Sequence, residues 1–144
     1  MKIAIGNDHA GVEYKNEILK YLALEQIEVK NYGTDTEDSV DYPDFIHPVS
    51  TYVSNNFDSL GVIICGSGNG AAMTANKNSK IRAALCWNKE LSKLSRQHND
   101  ANVISIPARF VSVIEAIEMV KVFISTKFEG GRHQNRVNKI PCHY

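Results

Sequence analysis

Apolar positions along this chain follow two alternating rhythms. Five short apolar or β-branched runs, at 2–5, 28–32, 61–65, 82–86 and 102–106, read as strands. Between them, apolar residues recur at helical spacing. Residues 10–22 carry Ile18, Leu19 and Leu22 on one stripe, and 44–57 carry Phe45, Val49, Tyr52, Val53 and Phe57. Residues 89–99 carry Leu91 and Leu94, and 111–123 carry Val113, Ile114, Ile117, Val120 and Phe123. Buried strands alternating with helices predict an α/β fold. It is three-layer, doubly wound and Rossmann-like, with a five-stranded parallel sheet covered on both faces. The expected strand order is 2-1-3-4-5. Gly130-Gly131 breaks the last helical pattern, and 132–140 resumes as a short polar helix. That segment has too few apolar positions for a core helix. Residues 130–144 are therefore expected to reach over the surface and contact a neighbouring subunit. No repeat or linker divides the chain, so 1–144 reads as one domain.

Charge narrows the functional classes. Sixteen Lys and Arg residues balance sixteen Asp and Glu residues, so no basic field invites nucleic acid or an anionic membrane. The longest apolar run falls well short of the roughly 20 residues of a membrane helix. The chain enters its first strand at once, with no signal-peptide pattern. Three cysteines, Cys65, Cys86 and Cys142, show no paired or CxxC spacing, which suits reduced thiols in a cytoplasmic compartment. The five histidines form no HxH or HExxH pattern, so no metal site is expected.

In doubly wound sheets, ligands bind beyond the carboxyl ends of the strands. That rule selects Asn7-Asp8-His9-Ala10-Gly11 after the first strand and Asp41-Tyr42-Pro43-Asp44 after the second. After the third comes Cys65-Gly66-Ser67-Gly68-Asn69-Gly70. Arg96, His98, Asn99 and Asp100 follow the fourth strand and its helix, and Arg109 follows the fifth. All are expected at one rim. The glycine-rich turn leads from a strand into a helix, where backbone N–H groups approach an anion closely. The same field favours thiolate over thiol at a neighbouring cysteine. A cysteine at a strand end also reads as a small core residue, and Cys86 does so. Beside the glycine turn, Cys65 reads as a reactive thiol. The spacing Gly66-x-Gly68-x-Gly70 is not a dinucleotide fingerprint, and no P-loop is present. Asp8 also suits a helix cap. Arg132 and Arg136 share a helical face, either as a phosphate clamp or as a solvated basic surface.

Taken together, these motifs resemble type B ribose-5-phosphate isomerase, in the family shared with galactose-6-phosphate isomerase subunits. Besides the three loops above, the resemblance is carried by Ala75-Asn76-Lys77, Arg82-Ala83-Ala84-Leu85, His98-Asn99-Asp100-Ala101-Asn102 and Arg132-His133-Gln134, over nearly the whole chain. It implies a cofactor-free, metal-free aldose–ketose isomerase acting on a sugar phosphate. Cys65 would move the proton between C1 and C2. The amides of Gly66, Gly68, Asn69 and Gly70, with Ser67, would hold the enediolate oxygen. His98 would open the sugar ring, with Asp8 handling the hydroxyl proton. Tyr42 and Asn99 would position hydroxyls, and His9, Arg109, Arg132 and Arg136 would bind phosphate. The resemblance further implies a homodimer, in some members paired into tetramers, whose subunits share active sites, so that His98, Asn99 and the arginines would serve the neighbour's glycine loop. One branch of the family uses a glutamate just past the glycine loop. Here that position is Ala71, which leaves Cys65 as the base. Three alternatives stay open: an isomerase of a six-carbon sugar phosphate (allose or galactose 6-phosphate), a non-catalytic subunit that needs a paralogue, and a phosphate- or nucleotide-binding sensor.

Overall fold

The structure, a computed structural model, describes residues 1–142. His143 and Tyr144, the end of the expected subunit-contacting segment, lie outside the described residues. Five strands form one parallel sheet: β1 (Lys2–Asn7), β2 (Glu28–Asn31), β3 (Ser59–Cys65), β4 (Ala83–Leu85) and β5 (Val103–Pro107). Six helices accompany them: α1 (Val12–Leu24), α2 (Tyr42–Asn55), α3 (Asn69–Ala75), α4 (Lys89–Asn99), α5 (Val113–Ser125) and α6 (Arg132–Asn138). A single 3-10 turn, His9–Gly11, precedes α1.

Side-chain alternation along the central strands builds two cores. Ile3, Ile5, Val62, Ile64, Ile104 and Ile106 face α1, α4 and α5. Ala4, Ile63, Cys65 and Val103 face α2 and α3. The expected three-layer, doubly wound sheet is therefore observed, and the Cys65 side chain belongs to the α2–α3 face.

The strand order differs from expectation. It is β2-β1-β3-β5-β4 rather than 2-1-3-4-5. β5 is buried at every position and sits between β3 and β4. β4 has only three half-buried residues and forms the edge. A strand buried at every position needs neighbours on both sides, whereas Ala83-Ala84-Leu85 offers little side chain to bury. Cys86, expected inside that strand, lies just past it and donates its backbone N–H to the Ser105 carbonyl at 3.1 Å.

One fully buried charge had no sequence signature. Lys15 of α1 donates from Nζ to the Thr34 carbonyl at 2.6 Å and pairs with Asp35. It thereby ties the loop between β2 and α2 to the first helix.

Burial pushes the Cys86 thiol up to about 11 from its ordinary 9.0. The unfolded chain therefore loses this proton at lower pH than the folded one. Stability should fall as pH rises from about 9 towards 11. In denaturant titrations, Cys86→Ala should flatten that alkaline loss by up to about 2–3 kcal/mol. Equal alkaline slopes in the two proteins would contradict the assignment.

Candidate active site

Cys65 ends the central strand β3 and is 4 % exposed. Two backbone bonds fasten the following turn to the end of β5. The Cys65 carbonyl accepts from Ala108 N–H, and the Gly66 carbonyl accepts from Arg109 N–H, both at 3.0 Å. Gly68 then takes a left-handed conformation, φ 75°, and begins α3. Its carbonyl accepts the buried Ser105 hydroxyl at 2.7 Å. Only glycine takes this backbone without strain, and a Cβ there would lie 2.4 Å from Leu85 Cδ1. The Asn69 N–H donates to Ser67 Oγ at 3.3 Å inside the exposed turn. The first turn of any helix leaves N–H groups without carbonyl partners, so this turn presents donors and partial positive charge beside the thiol.

Tyr42 stands at the start of α2, and its ring lies against Gly70, where a Cβ would come 2.5 Å from Cζ. The Arg109 guanidinium lies over Gly66, its Nη1 being 3.1 Å from the position of a Cβ there. Asp8 joins β1 to this rim through its N–H, which donates to the Ile64 carbonyl at 3.2 Å. Its Oδ1 also accepts from Ala10 N–H at 2.9 Å, so Asp8 is both helix cap and rim carboxylate. His9 Nδ1 accepts the Val40 N–H at 3.2 Å, which leaves Nε2 to carry the proton of the neutral ring. Leu85, Trp87, Pro107 and Phe110 line a cleft with Ser67 and Asn69.

The structure brings together Asp8, His9, Tyr42, Cys65, Arg109 and residues 66–70. It does not bring His98, Asn99, Arg132 and Arg136 to them, which corrects the expectation of a single rim. α4 begins beyond the carboxyl end of β4 and runs back across the sheet, about 16 Å in eleven residues. Its end is fixed at the amino edge. The Arg82 side chain donates to the Asp100 carbonyl at 2.8 Å, and the Asn102 side chain donates to the Lys80 carbonyl at 2.8 Å. Asn99 there lines a cleft with Asn76, Lys77, Arg82 and Ile140.

α6 packs on α4 through a histidine pair. The His98 and His133 rings stack with centroids 4.3 Å apart and planes 12° from parallel. Burial, aided by the adjoining His98 and Arg132, holds the His133 pKa below its ordinary value. His133 was legible only as part of the Arg132-His133-Gln134 motif. Glu129, within 4 Å of both rings, was hidden in an unpatterned loop.

Residues 3–140 match the family described as Ribose/Galactose Isomerase. The chain belongs to that family. It is 40 % identical to ribose-5-phosphate isomerase B of Escherichia coli over 139 residues, 96 % of this chain and 93 % of that one. The ribose 5-phosphate isomerase structure from Thermotoga maritima superposes with a TM-score of 0.94 at 42 % identity, covering 97 % of both chains. A Mycoplasma genitalium ribose-5-phosphate isomerase B with bound ribulose 5-phosphate gives 0.93 at 41 %, covering 96 % of this chain and 93 % of that one. The chain is thus an isomerase of this family, and Cys65 stands at the end of its central strand.

Two glycines of the turn separate stability from positioning. Gly68→Ala forces a left-handed alanine against Leu85 and should cost roughly 1–3 kcal/mol in thermal or denaturant unfolding. Gly70→Ala meets only the half-exposed Tyr42 ring, so it should leave the unfolding midpoint within a few degrees. Isomerase turnover should nevertheless fall about tenfold or more where the ring positions substrate, the role that the family resemblance implies for Tyr42. Unchanged turnover in Gly70→Ala would remove Tyr42 from the site.

Proposed function

We propose that this chain interconverts ribose 5-phosphate and ribulose 5-phosphate, without metal or cofactor, at a site shared by two copies. The observation that carries the reading is Cys65 at the head of a glycine turn on which Tyr42 and Arg109 lie, at Gly70 and Gly66, with Asp8 bonded through its N–H to the Ile64 carbonyl beside it. His98 opens the furanose by protonating the ring oxygen, while Asp8 takes the proton of the anomeric hydroxyl. Cys65, as thiolate, removes the C2 proton of the open aldose. The electron pair moves into a C1–C2 double bond, and the C1 oxygen becomes an anion held by the N–H groups of the turn and Ser67. Return of the proton to C1 and transfer of the C2 hydroxyl proton to the C1 oxygen give the ketose. One base reaches both carbons, and no net oxidation occurs. Arg109, Arg132, Arg136 and His9 bind the phosphate dianion, for which guanidinium forks are suited. Tyr42 and Asn99 orient hydroxyls.

The opposite placement of His98, Asn99, Arg132 and Arg136 supports the shared site. Their reach to a neighbour's turn replaces the reach they lack to their own. Large apolar side chains left exposed around the turn, Trp87 at 55 %, Phe110 at 74 % and Met73 at 66 %, suit coverage by a second copy. The Cys–His constellation and the absent nucleotide fingerprints disfavour a sensor. The family also includes galactose isomerases, so a six-carbon sugar phosphate is the second reading. Reduced thiols at Cys65 and Cys86 fit the cytoplasm.

The test is turnover of ribose 5-phosphate by the purified chain in the presence of chelator. Steady formation of ribulose 5-phosphate is expected. Cys65→Ala should reduce it by roughly 10²–10⁴-fold with the circular-dichroism spectrum retained. Turnover preserved in Cys65→Ala would overturn the assigned base. Turnover of only six-carbon phosphates would replace the substrate.

A further inference from the structure

The amino-edge cluster does more than link two helices. His98 lies in the last turn of α4, Glu129 in the loop before α6, and His133 in the first turn of α6. Their ligating atoms lie within 4.8 Å of one another. Glu129 Oε2 is 3.6 Å from His133 Nε2 and 3.9 Å from His98 Nε2. Both separations exceed a hydrogen bond, so the carboxylate sits close to two rings and bonds to neither. The frame around them is fixed. Glu129 N–H donates to the Gln97 carbonyl at 3.0 Å, which docks the loop on the end of α4, and His133 is 9 % exposed.

We propose that His98, Glu129 and His133 form a binding site for a zinc ion. Two imidazoles and one carboxylate are a ligand set that zinc favours. Zinc bonds of about 2.0–2.2 Å place tetrahedral donors about 3.4 Å apart and can span at most about 4.2 Å. The separations to Glu129 fall inside that span and close by a few tenths of an ångström, whereas the three ligating atoms together spread over as much as 4.8 Å, so the site closes mainly by moving the two rings. The rings tilt out of their parallel stack as it does. Three protein donors leave a fourth position for water. The three segments are already held together, so binding does not have to order a loop. Hard cations prefer more oxygen donors than this site offers, which favours zinc over magnesium or calcium.

The consequence for activity rests on the proposed function. With zinc on Nε2, His98 no longer carries an imidazolium proton there, and its remaining Nδ1–H is too weak an acid to protonate the ring oxygen. Zinc therefore inhibits this isomerase, and a chelator restores it.

Binding and inhibition are read separately on the reduced full-length chain, in a Cys142→Ser background that removes the exposed thiol. Zinc binding is measured by competition against a chromophoric chelator. Cobalt absorption in the visible reports the donor set. One ion per chain is expected, with cobalt bands free of thiolate charge transfer. Glu129→Ala and His133→Ala should each weaken zinc at least tenfold, as loss of one of three ligands requires. Equal zinc affinity in these variants, or a thiolate–cobalt band abolished by Cys65→Ser, would overturn the site, because the cysteines would then be the ligands. Inhibition of ribose 5-phosphate turnover should follow the same affinity and vanish with it in Glu129→Ala. Zinc bound at these residues with turnover unaffected would uphold the metal site and contradict the role given to His98.

Discussion

A helix that follows a parallel strand has to carry the chain back to the strand's starting edge. That constraint orders everything else in this molecule. Residues in the strand-to-helix turns collect at the carboxyl rim, where Cys65, Asp8, His9 and Arg109 are found. Residues at the far ends of helices collect at the amino edge, and α4 delivers His98 and Asn99 there. The length of the helix sets the separation, and no side chain of this size bridges it. An enzyme that needs both groups at one substrate therefore needs two copies. In the proposed shared site, a twofold dimer would set the amino edge of each copy against the carboxyl rim of the other.

The turn after β3 concentrates the chemistry because several demands meet in it. A strand buried on both faces fixes Cys65. The left-handed Gly68 redirects the chain into α3, and the Ser105 hydroxyl pins that turn from the neighbouring strand. Gly66 and Gly70 give room to Arg109 and Tyr42. The glycines thus serve geometry twice, in the backbone and in the approach of other side chains. Lys15 extends the same logic outward. By holding Thr34 and Asp35, it anchors the loop whose Val40 N–H orients His9.

Much of this was legible in the sequence. The apolar rhythm located all five strands and the class of sheet, because β1, β3 and β5 are buried on both faces and leave few alternatives. The order of β4 and β5 does not follow their order in the chain, because adjacency in sequence is not adjacency in space. The contrast between Val103-Ile104-Ser105-Ile106 and Ala83-Ala84-Leu85 carried the correct answer. The turn residues of the site were legible by the rule that ligands bind beyond strand ends. Its second half was legible too, but only through the return of the helix: His98 and Asn99 close the 89–99 pattern, and the far end of such a helix lies at the amino edge, not at the rim. Lys15 and Glu129 lay beyond reach. Their roles depend on tertiary contacts with distant loops that no local pattern encodes.

Complementation between inactive chains tests the shared site most directly. Cys65→Ala and His98→Ala chains would be purified separately, unfolded together, refolded as a mixture and assayed with ribose 5-phosphate. If each site takes its cysteine from one copy and its histidine from the other, a mixed dimer holds one intact site. Random pairing should then restore roughly a quarter of wild-type activity to two nearly inactive proteins. A mixture no more active than its components would contradict the account, because cysteine and histidine would then have to act within one chain.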